Sequence, residues 1–249
     1  MPAVVGIIQA RLASSRLPGK ILAPLAGRPL LGLLSERLRS ARVDEWWLAT
    51  TRGPEDDLTA AWGDALGLRV LRGERDDVLS RFTAIVRESR PDWIVRVTAD
   101  DPFADGELVN ALLDALGEAE KEGSWVGLAG AARLLPLGYG AELARASDLL
   151  ASEREIPAAE PWHRSHVTSW LRSRSEPFLA PAPADWPARP DWHWTVDTPE
   201  DLAMARAAFD LFGPRAAELS YPEMVARLDA HPEVAGANLH VRQKAVEEG

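Results

Sequence analysis

The chain has 249 residues, 46% of them hydrophobic and 27% charged, which is the balance of an ordinary globular protein and a length that one α/β domain can fill. Cysteine is absent, so disulfides and thiolate chemistry are excluded and any metal is left to oxygen or imidazole ligands. A net charge of −10 argues against a general binder of nucleic acid or anionic membrane. No apolar run approaches about 18 residues, and Met1 leads straight into the first apolar run, so a cytoplasmic enzyme of one domain, 1–249, is expected.

Apolar runs alternate with amphipathic segments, the pattern of βαβ units around a mostly parallel sheet. Strands are predicted over 4–10, 46–50, 69–71 and 93–98, with helices over 29–41, 54–66 and 77–90 between them. Each helix is led in by Pro or Asp and ends near Gly, Pro or a basic residue. A further helix is expected over 105–116, capped by Asp105, and a strand over 124–128. Residues 129–185 are less regular: "LPLGYGAEL" reads as a turn feeding a short strand, "ASDLLASER" and "PWHRSHVTSWLRSR" as helices, and "PFLAPAPADWPARP" as an extended surface segment. "DWHWTV" alternates like a strand. "DTPEDLAMARAAFDLFG" carries a full set of helix signals: Thr198 as N-cap, Pro199 at the first position, acids in the first turn and Gly213 at the end. The chain after about Asn238 is expected to be loosely held.

Charge is unevenly distributed. Residues 1–42 carry Arg11, Arg16, Lys20, Arg28, Arg37, Arg39 and Arg42 against one acid, Glu36, a local +6 that leaves −16 for the rest. A local cationic site on an acidic chain suits a small, multiply charged anion. "IIQARLASSRLPGK" concentrates it directly after the first strand, where open α/β sheets bind ligands. Arg11, Arg16 and Lys20 supply charge, Ser14 and Ser15 add donors, and Gly19 permits a tight turn, a set that fits a triphosphate. A Walker A loop is excluded, because Ile21 follows Gly19-Lys20 and Ser14 stands where the first Gly belongs. The plain alternative is a solvated basic loop.

"IIQARLASSRLPGKIL" resembles the opening of the nucleotidyltransferases that make CMP-activated sugars, whose pattern is an apolar strand followed by A-R-x-x-S-x-R-L-P-G-K, here Ala10 to Lys20. The subgroup it is most similar to is the spore-coat polysaccharide biosynthesis cytidylyltransferase-like proteins, relatives of the CMP-Kdo and CMP-acylneuraminate synthetases. The likeness continues through "RGERDDVLSRF", "VRVTADDPFAD", "GYGAEL", "HVTSWL" and "WTVDTPEDL". It implies a Rossmann-like, mostly parallel sheet of the nucleotide-diphospho-sugar transferase (GT-A-like) type. It also implies a homodimer, with 129–185 forming an acceptor-binding and dimerisation subregion.

Acids follow two of the predicted strands: the Asp100-Asp101 pair in "TADDPF" and Asp197 in "TVDTPEDL". Each can be a helix-entering turn with a capping Asp. Together, two strand-end carboxylates from distant segments can share one Mg²⁺, with phosphate oxygens and water completing the octahedron. The resemblance implies the same, matching its metal-binding acids to Asp100 and Asp197. Asp101 departs from the subgroup, where a small residue or Cys is frequent, and leaves the choice between Asp100 and Asp101 open.

Gly73, after the third strand, permits close approach to a planar base. Asp77 and Arg81 lie one turn apart and suit an i,i+4 ion pair. The resemblance places Arg72, Gly73 and Asp77 beside the base and ribose, and Thr50 at the end of the second strand faces the same pocket. For the acceptor it implies Glu142, the acid of a G-x-D-V-E pattern whose Asp is Gly140 here, and His166 of an H-V-T. Most of the ten Trp are expected to pack, Trp46 and Trp47 on opposite faces of their strand, with Trp192 or Trp194 offering a surface for stacking a sugar.

The function expected is Mg²⁺-dependent transfer of CMP from CTP to a small acidic acceptor, a sugar acid, sugar phosphate or phosphonate, with release of pyrophosphate. Arg11, Lys20 and Asp100 are the expected catalytic residues. The alternatives are a glycosyltransferase using a nucleotide-sugar donor and a nucleotide-binding module without catalysis.

Overall fold

The computed structural model describes residues 2–122, 125–128, 134–176 and 178–242. Nine strands occur among them: β1 (Val4–Gln9), β2 (Pro24–Leu25), β3 (Arg28–Pro29), β4 (Glu45–Thr51), β5 (Arg69–Gly73), β6 (Trp93–Thr98), β7 (Trp125–Leu128), β8 (Glu142–Arg145) and β9 (Phe178–Ala180). The helices are α1 (Leu30–Arg37), α2 (Asp57–Ala65), α3 (Val78–Ser89), α4 (Gly106–Asp114), α5 (Leu116–Glu122), α6 (Ala146–Glu155), α7 (Trp162–Ser165), α8 (Ser169–Arg174), α9 (Pro199–Phe212), α10 (Tyr221–Asp229) and α11 (Pro232–Ala235).

Seven strands form one sheet in the order β5-β4-β1-β6-β8-β7-β9, and β2 and β3 make a separate small hairpin. The run β5-β4-β1-β6 is parallel, β8 runs antiparallel to β6 and β7, and β9 is parallel to β7. This is a mostly parallel α/β sheet with helices on both faces, as the alternating pattern predicts. Alternation along β1 sorts its side chains to two cores: Val4 and Ile8 to one face, Val5 and Ile7 to the other. Helices α1, α4, α9 and α10 cover the first face, and α3, α6 and α8 the second. Trp46 packs on the first face and Trp47 on the second, as their alternation predicts.

The capping chemistry legible in the sequence is realised. Asp77 accepts from Ser80 N at the start of α3, and Asp105 accepts from Leu108 N at the start of α4. Thr198 and Asp201 form a capping box on α9, with Pro199 behind them.

Three expectations change. "DWHWTV" is extended but is no strand of the sheet: it makes one isolated bridge, Leu137 with His193, and its other backbone bonds go to loops. The helix expected across "PWHRSHVTSWLRSR" is two short helices, broken at His166–Thr168 with Val167 at φ 53°. The segment expected only to be extended contributes β9 to the sheet edge. In addition, α10 and α11 form in a stretch for which no element was predicted, and Asn238 beyond them is buried, donating to His193 O and Asp201 Oδ1. Ser124 and residues 129–133, 177 and 243–249, on which parts of the sequence reading fall, lie outside the described residues. No helix among the described residues is long and apolar enough to cross a membrane.

Candidate active site

Neighbouring parallel strands β1 and β6 end side by side, so the loops that follow them share one edge of the sheet. After β1 the chain folds over itself: Gly19 N donates to Leu12 O at 2.9 Å, and Leu12 N donates to Asp56 Oδ1 at 2.6 Å. Gly19 takes φ 77°, a conformation that glycine adopts without the penalty a Cβ brings. The turn directs Lys20 inward. After β6, the loop carrying Asp100 and Asp101 is strapped by the segment ahead of α9, with Val196 N donating to Asp100 O at 2.8 Å. Asp201 Oδ2 accepts from Asp197 N at 3.0 Å and fixes the backbone of that acid.

The three segments meet in one ion cluster. Lys20 Nζ lies 2.7 Å from Asp100 Oδ2 and 2.8 Å from Asp197 Oδ1, and Arg16 Nη2 lies 2.8 Å from Asp197 Oδ2. Burial alone pushes the Lys20 ammonium down, but the two carboxylates outweigh it and hold it above its ordinary value. Burial likewise pushes Asp100 up, and Lys20 beside it wins and holds the carboxyl below the ordinary carboxylate range. Asp101 points the other way: its Oδ2 accepts from Thr98 Oγ1 at 2.7 Å, and burial together with the charge of Asp100 pushes it up to about 8. Asp100, not Asp101, therefore faces Asp197.

A cavity of about 700 Å³ surrounds this cluster. Of the sequence-predicted site residues, Ala10, Arg11, Ser14, Ser15, Arg16, Lys20, Asp100, His166 and Asp197 line it, as does Asp101. Thr50, Arg72, Gly73, Asp77 and Glu142 do not. Thr50 is fully buried in β4. Arg72 is turned back on Thr51 O (2.9 Å), Gly53 O (2.8 Å) and Asp57 (2.7 Å). Asp77 is taken up by its helix cap and by Arg164 at 2.5 Å, so the expected pair with Arg81 is not made. Glu142 accepts from Arg96 Nη1 at 2.8 Å and from Thr168 Oγ1 at 2.7 Å, and it is Arg96 that reaches the cavity. Trp194 is completely buried against Phe103 with ring centres 4.6 Å apart, and Trp192 packs on the same core, so neither offers the cavity a stacking face.

Four charged lining side chains were not among the predicted site residues: Arg75, Asp76, Arg81 and Arg96. The cationic N-terminal stretch also divides. Arg28 pairs with Glu36, Arg42 with Asp114, and Arg37 is a buried structural cation; among the seven cations of that stretch only Arg11, Arg16 and Lys20 face the cavity.

The Lys20 ammonium sits between the carboxylates of Asp100 and Asp197 and brings the two acids together from distant segments. Among the described residues no group of three or more His, Asp or Glu side chains is placed to hold a metal ion by itself. The protein thus offers two hard oxygen donors and leaves the remaining positions to ligand and water, a donor set that fits Mg²⁺.

A cationic loop at the carboxyl ends of a parallel sheet, ion-paired with two acids at the edge of a polar cavity, suits a nucleotide-handling transferase. The comparisons sharpen that class. Residues 5–198 match the cytidylyltransferase family. The spore coat polysaccharide biosynthesis protein SpsF of Bacillus subtilis (strain 168) is 32% identical over 240 residues, 93% of this chain and 96% of that one. The chain is a member of the cytidylyltransferase family. Among solved structures, a cytidylyltransferase from Leptospira borgpetersenii serovar Hardjo-bovis (strain JB197) superposes with a TM-score of 0.86 at 24% identity, covering 98% of this chain and 100% of that one. CMP:2-keto-3-deoxy-manno-octonic acid synthetase, solved with CTP, superposes with a TM-score of 0.59 at 21% identity, covering 84% and 98%. Both share the fold.

Proposed function

We propose that the chain transfers CMP from CTP to a small acidic acceptor, such as a sugar acid, sugar phosphate or phosphonate, and releases pyrophosphate in a Mg²⁺-dependent reaction. The observation that carries this reading is the meeting of Arg16, Lys20, Asp100 and Asp197, drawn from three distant segments, in one cavity. The family membership favours a cytidylyl group, and a structural relative solved with CTP is consistent with it.

An acceptor oxygen forms a bond to the α-phosphorus as the bond to the bridging oxygen breaks, and pyrophosphate departs with that electron pair. Little covalent chemistry falls to the protein, so positioning and charge carry the rate. Arg11, Arg16 and Lys20 take the phosphate oxygens and neutralise the charge gathering on the leaving group. Asp100 and Asp197 would hold Mg²⁺, which when bound supplies charge neutralisation at the phosphates and lowers the pKa of a hydroxyl it touches. An acceptor that is already ionised needs no general base from the chain. Arg96, held by Glu142 and Gln9, presents a cation to the acceptor side of the cavity, which fits an acidic acceptor. The 129–185 segment, which contributes Leu137, Gly138, Ser165 and His166 to the lining, remains the proposed acceptor and dimerisation region.

The test is pyrophosphate release from each of the four NTPs against panels of ulosonic acids, sugar phosphates and phosphonates. Turnover confined to CTP with an acidic acceptor is expected. Glycosyl transfer from a nucleotide-sugar without pyrophosphate release, or no turnover with any pair, contradicts the reading.

A further inference from the structure

Arg81, on the second turn of α3, lines the cavity yet is only 1% exposed. Its Nη1 donates to Ala49 O at 3.3 Å. Nε and Nη2 are buried and find no hydrogen-bond partner among the described residues. These two nitrogens share one edge of the planar guanidinium and point their N–H bonds the same way, so what is left open is a two-pronged donor fork. The nearby carboxylates do not fill it. Asp56 is committed to Leu12 N, Thr59 Oγ1 and Thr51 Oγ1, and Asp77 to Ser80 N and Arg164. Burial, with the charge of Arg11 added, brings the guanidinium down to about 10, so it is still a cation at neutral pH. A buried, charged fork without acceptors is costly unless a ligand completes it.

Its place in the sheet says which part of the ligand that is. The acids and the phosphate-binding cations Arg16 and Lys20 cluster where β1 and β6 end. Arg81 lies on the opposite flank, at the ends of β4 and β5. The carbonyl of Ala49 that it contacts also accepts from Ala10 N at 3.1 Å. The arginine stem fills the space beside Gly73, where a Cβ would come 2.5 Å from Arg81 Cγ. The sequence reading reserved Gly73 for the close approach of a base, and the structure uses it to admit Arg81. With the polyphosphate drawn to the β6 side, the nucleoside reaches the β4–β5 side and meets the fork.

We propose that Arg81 selects the base, donating Nε–H and Nη2–H to the adjacent O2 and N3 acceptors of cytosine. Uracil carries N3–H at that position, which would oppose a donor, and adenine presents no such pair of neighbouring acceptors on its pairing edge; guanine does so only on its O6/N7 edge. This inference rests on the cytidylyltransferase reading above.

The experiment is a calorimetric titration of the wild type and Arg81→Lys with CTP, CMP, UTP and GTP, each with Mg²⁺. Lysine keeps the charge and loses the fork. CTP and CMP should weaken by a common factor on the order of 10- to 100-fold, with UTP held within about 3-fold, so that the preference for cytosine collapses. A loss shared equally by CTP and UTP, or a loss on CTP that CMP escapes, would make Arg81 a phosphate contact and overturn the proposal; so would unchanged binding, or a wild type that takes GTP more tightly than CTP. Should Arg81→Lys fail to fold, 3-deaza-CTP, in which C–H replaces N3, decides with the wild type alone: weaker binding than CTP supports the fork, equal binding overturns it. A wild type without preference for CTP removes the cytidylyl reading as well, whereas a wild type that prefers CTP beside a variant that still does removes the role of Arg81 only.

Discussion

Lys20 is the residue on which the site's charges balance, since its ammonium touches both Asp100 and Asp197 within 2.8 Å. Lys20→Ala or Asp100→Ala is expected to lower the rate of pyrophosphate release on the order of 10²- to 10³-fold, the usual cost of removing one preorganised charge partner; turnover within a few-fold of wild type would remove either residue from the machinery. Asp101 makes a different prediction. Its pKa is raised in the folded protein, so its contribution to stability is present below the ordinary carboxylate value near 4 and is lost as pH rises through about 8. In metal-free protein, denaturant titration between pH 5 and 8 should show stability falling more steeply for wild type than for Asp101→Asn, and parallel curves would contradict the assignment. At this scale much was legible. A-R-x-x-S-x-R-L-P-G-K and the acids at 100 and 197 are local patterns with local chemistry. Arg81 and Arg96 were not legible, because whether a lone arginine faces a cavity depends on which strands lie beside it. Arg72 shows the converse: a plausible base contact by position, it is bound to backbone carbonyls that sequence does not place.

The elements whose ends carry chemical signals were readable, and those defined by partners were not. Helix α9 follows from Thr198, Pro199 and Gly213, and β6 from a run of branched and aromatic residues. "DWHWTV" alternates as a strand does, yet among the described residues no neighbouring strand accepts it along its length. The break before α8 falls at Val167, whose positive φ is unexpected in a β-branched residue and has no Gly or Pro to announce it. Arg37 illustrates how elements are joined. From the end of α1 it donates to Phe103 O, Ala216 O, Leu219 O and Asp105 Oδ2, between 2.8 and 3.3 Å, linking the loop after β6 to the chain leading into α10. Asp105 in turn caps α4 and accepts from Tyr139. Arg37→Ala would leave these acceptors and the Asp105 carboxylate buried without their donor. The expected loss is about 3–5 kcal/mol, a fall in Tm near 10 °C for a chain of this length. A fall under about 2 °C in a thermal melt would contradict it.

Over the whole molecule, the parallel order β5-β4-β1-β6 decides the site, since it sets the loops after β1 and β6 together and leaves β4 and β5 to the far flank. That order is a matter of long-range pairing, and without the family likeness the sequence alone could not rank it. The acidic chain then turns three cations toward one cavity, where two of them, Arg16 and Lys20, are held by two carboxylates. In the proposed mechanism Asp100 and Asp197 take a divalent cation, and Arg16 and Lys20 take the phosphates. Titrating CTP into wild type and Asp197→Asn, with and without Mg²⁺, tests it most directly. The wild type should bind CTP more tightly with Mg²⁺, and Asp197→Asn should lose that enhancement while binding metal-free CTP at least as well, because Lys20 and Arg16 are released to the phosphates. An Asp197→Asn protein that keeps the full Mg²⁺ enhancement would contradict the claim.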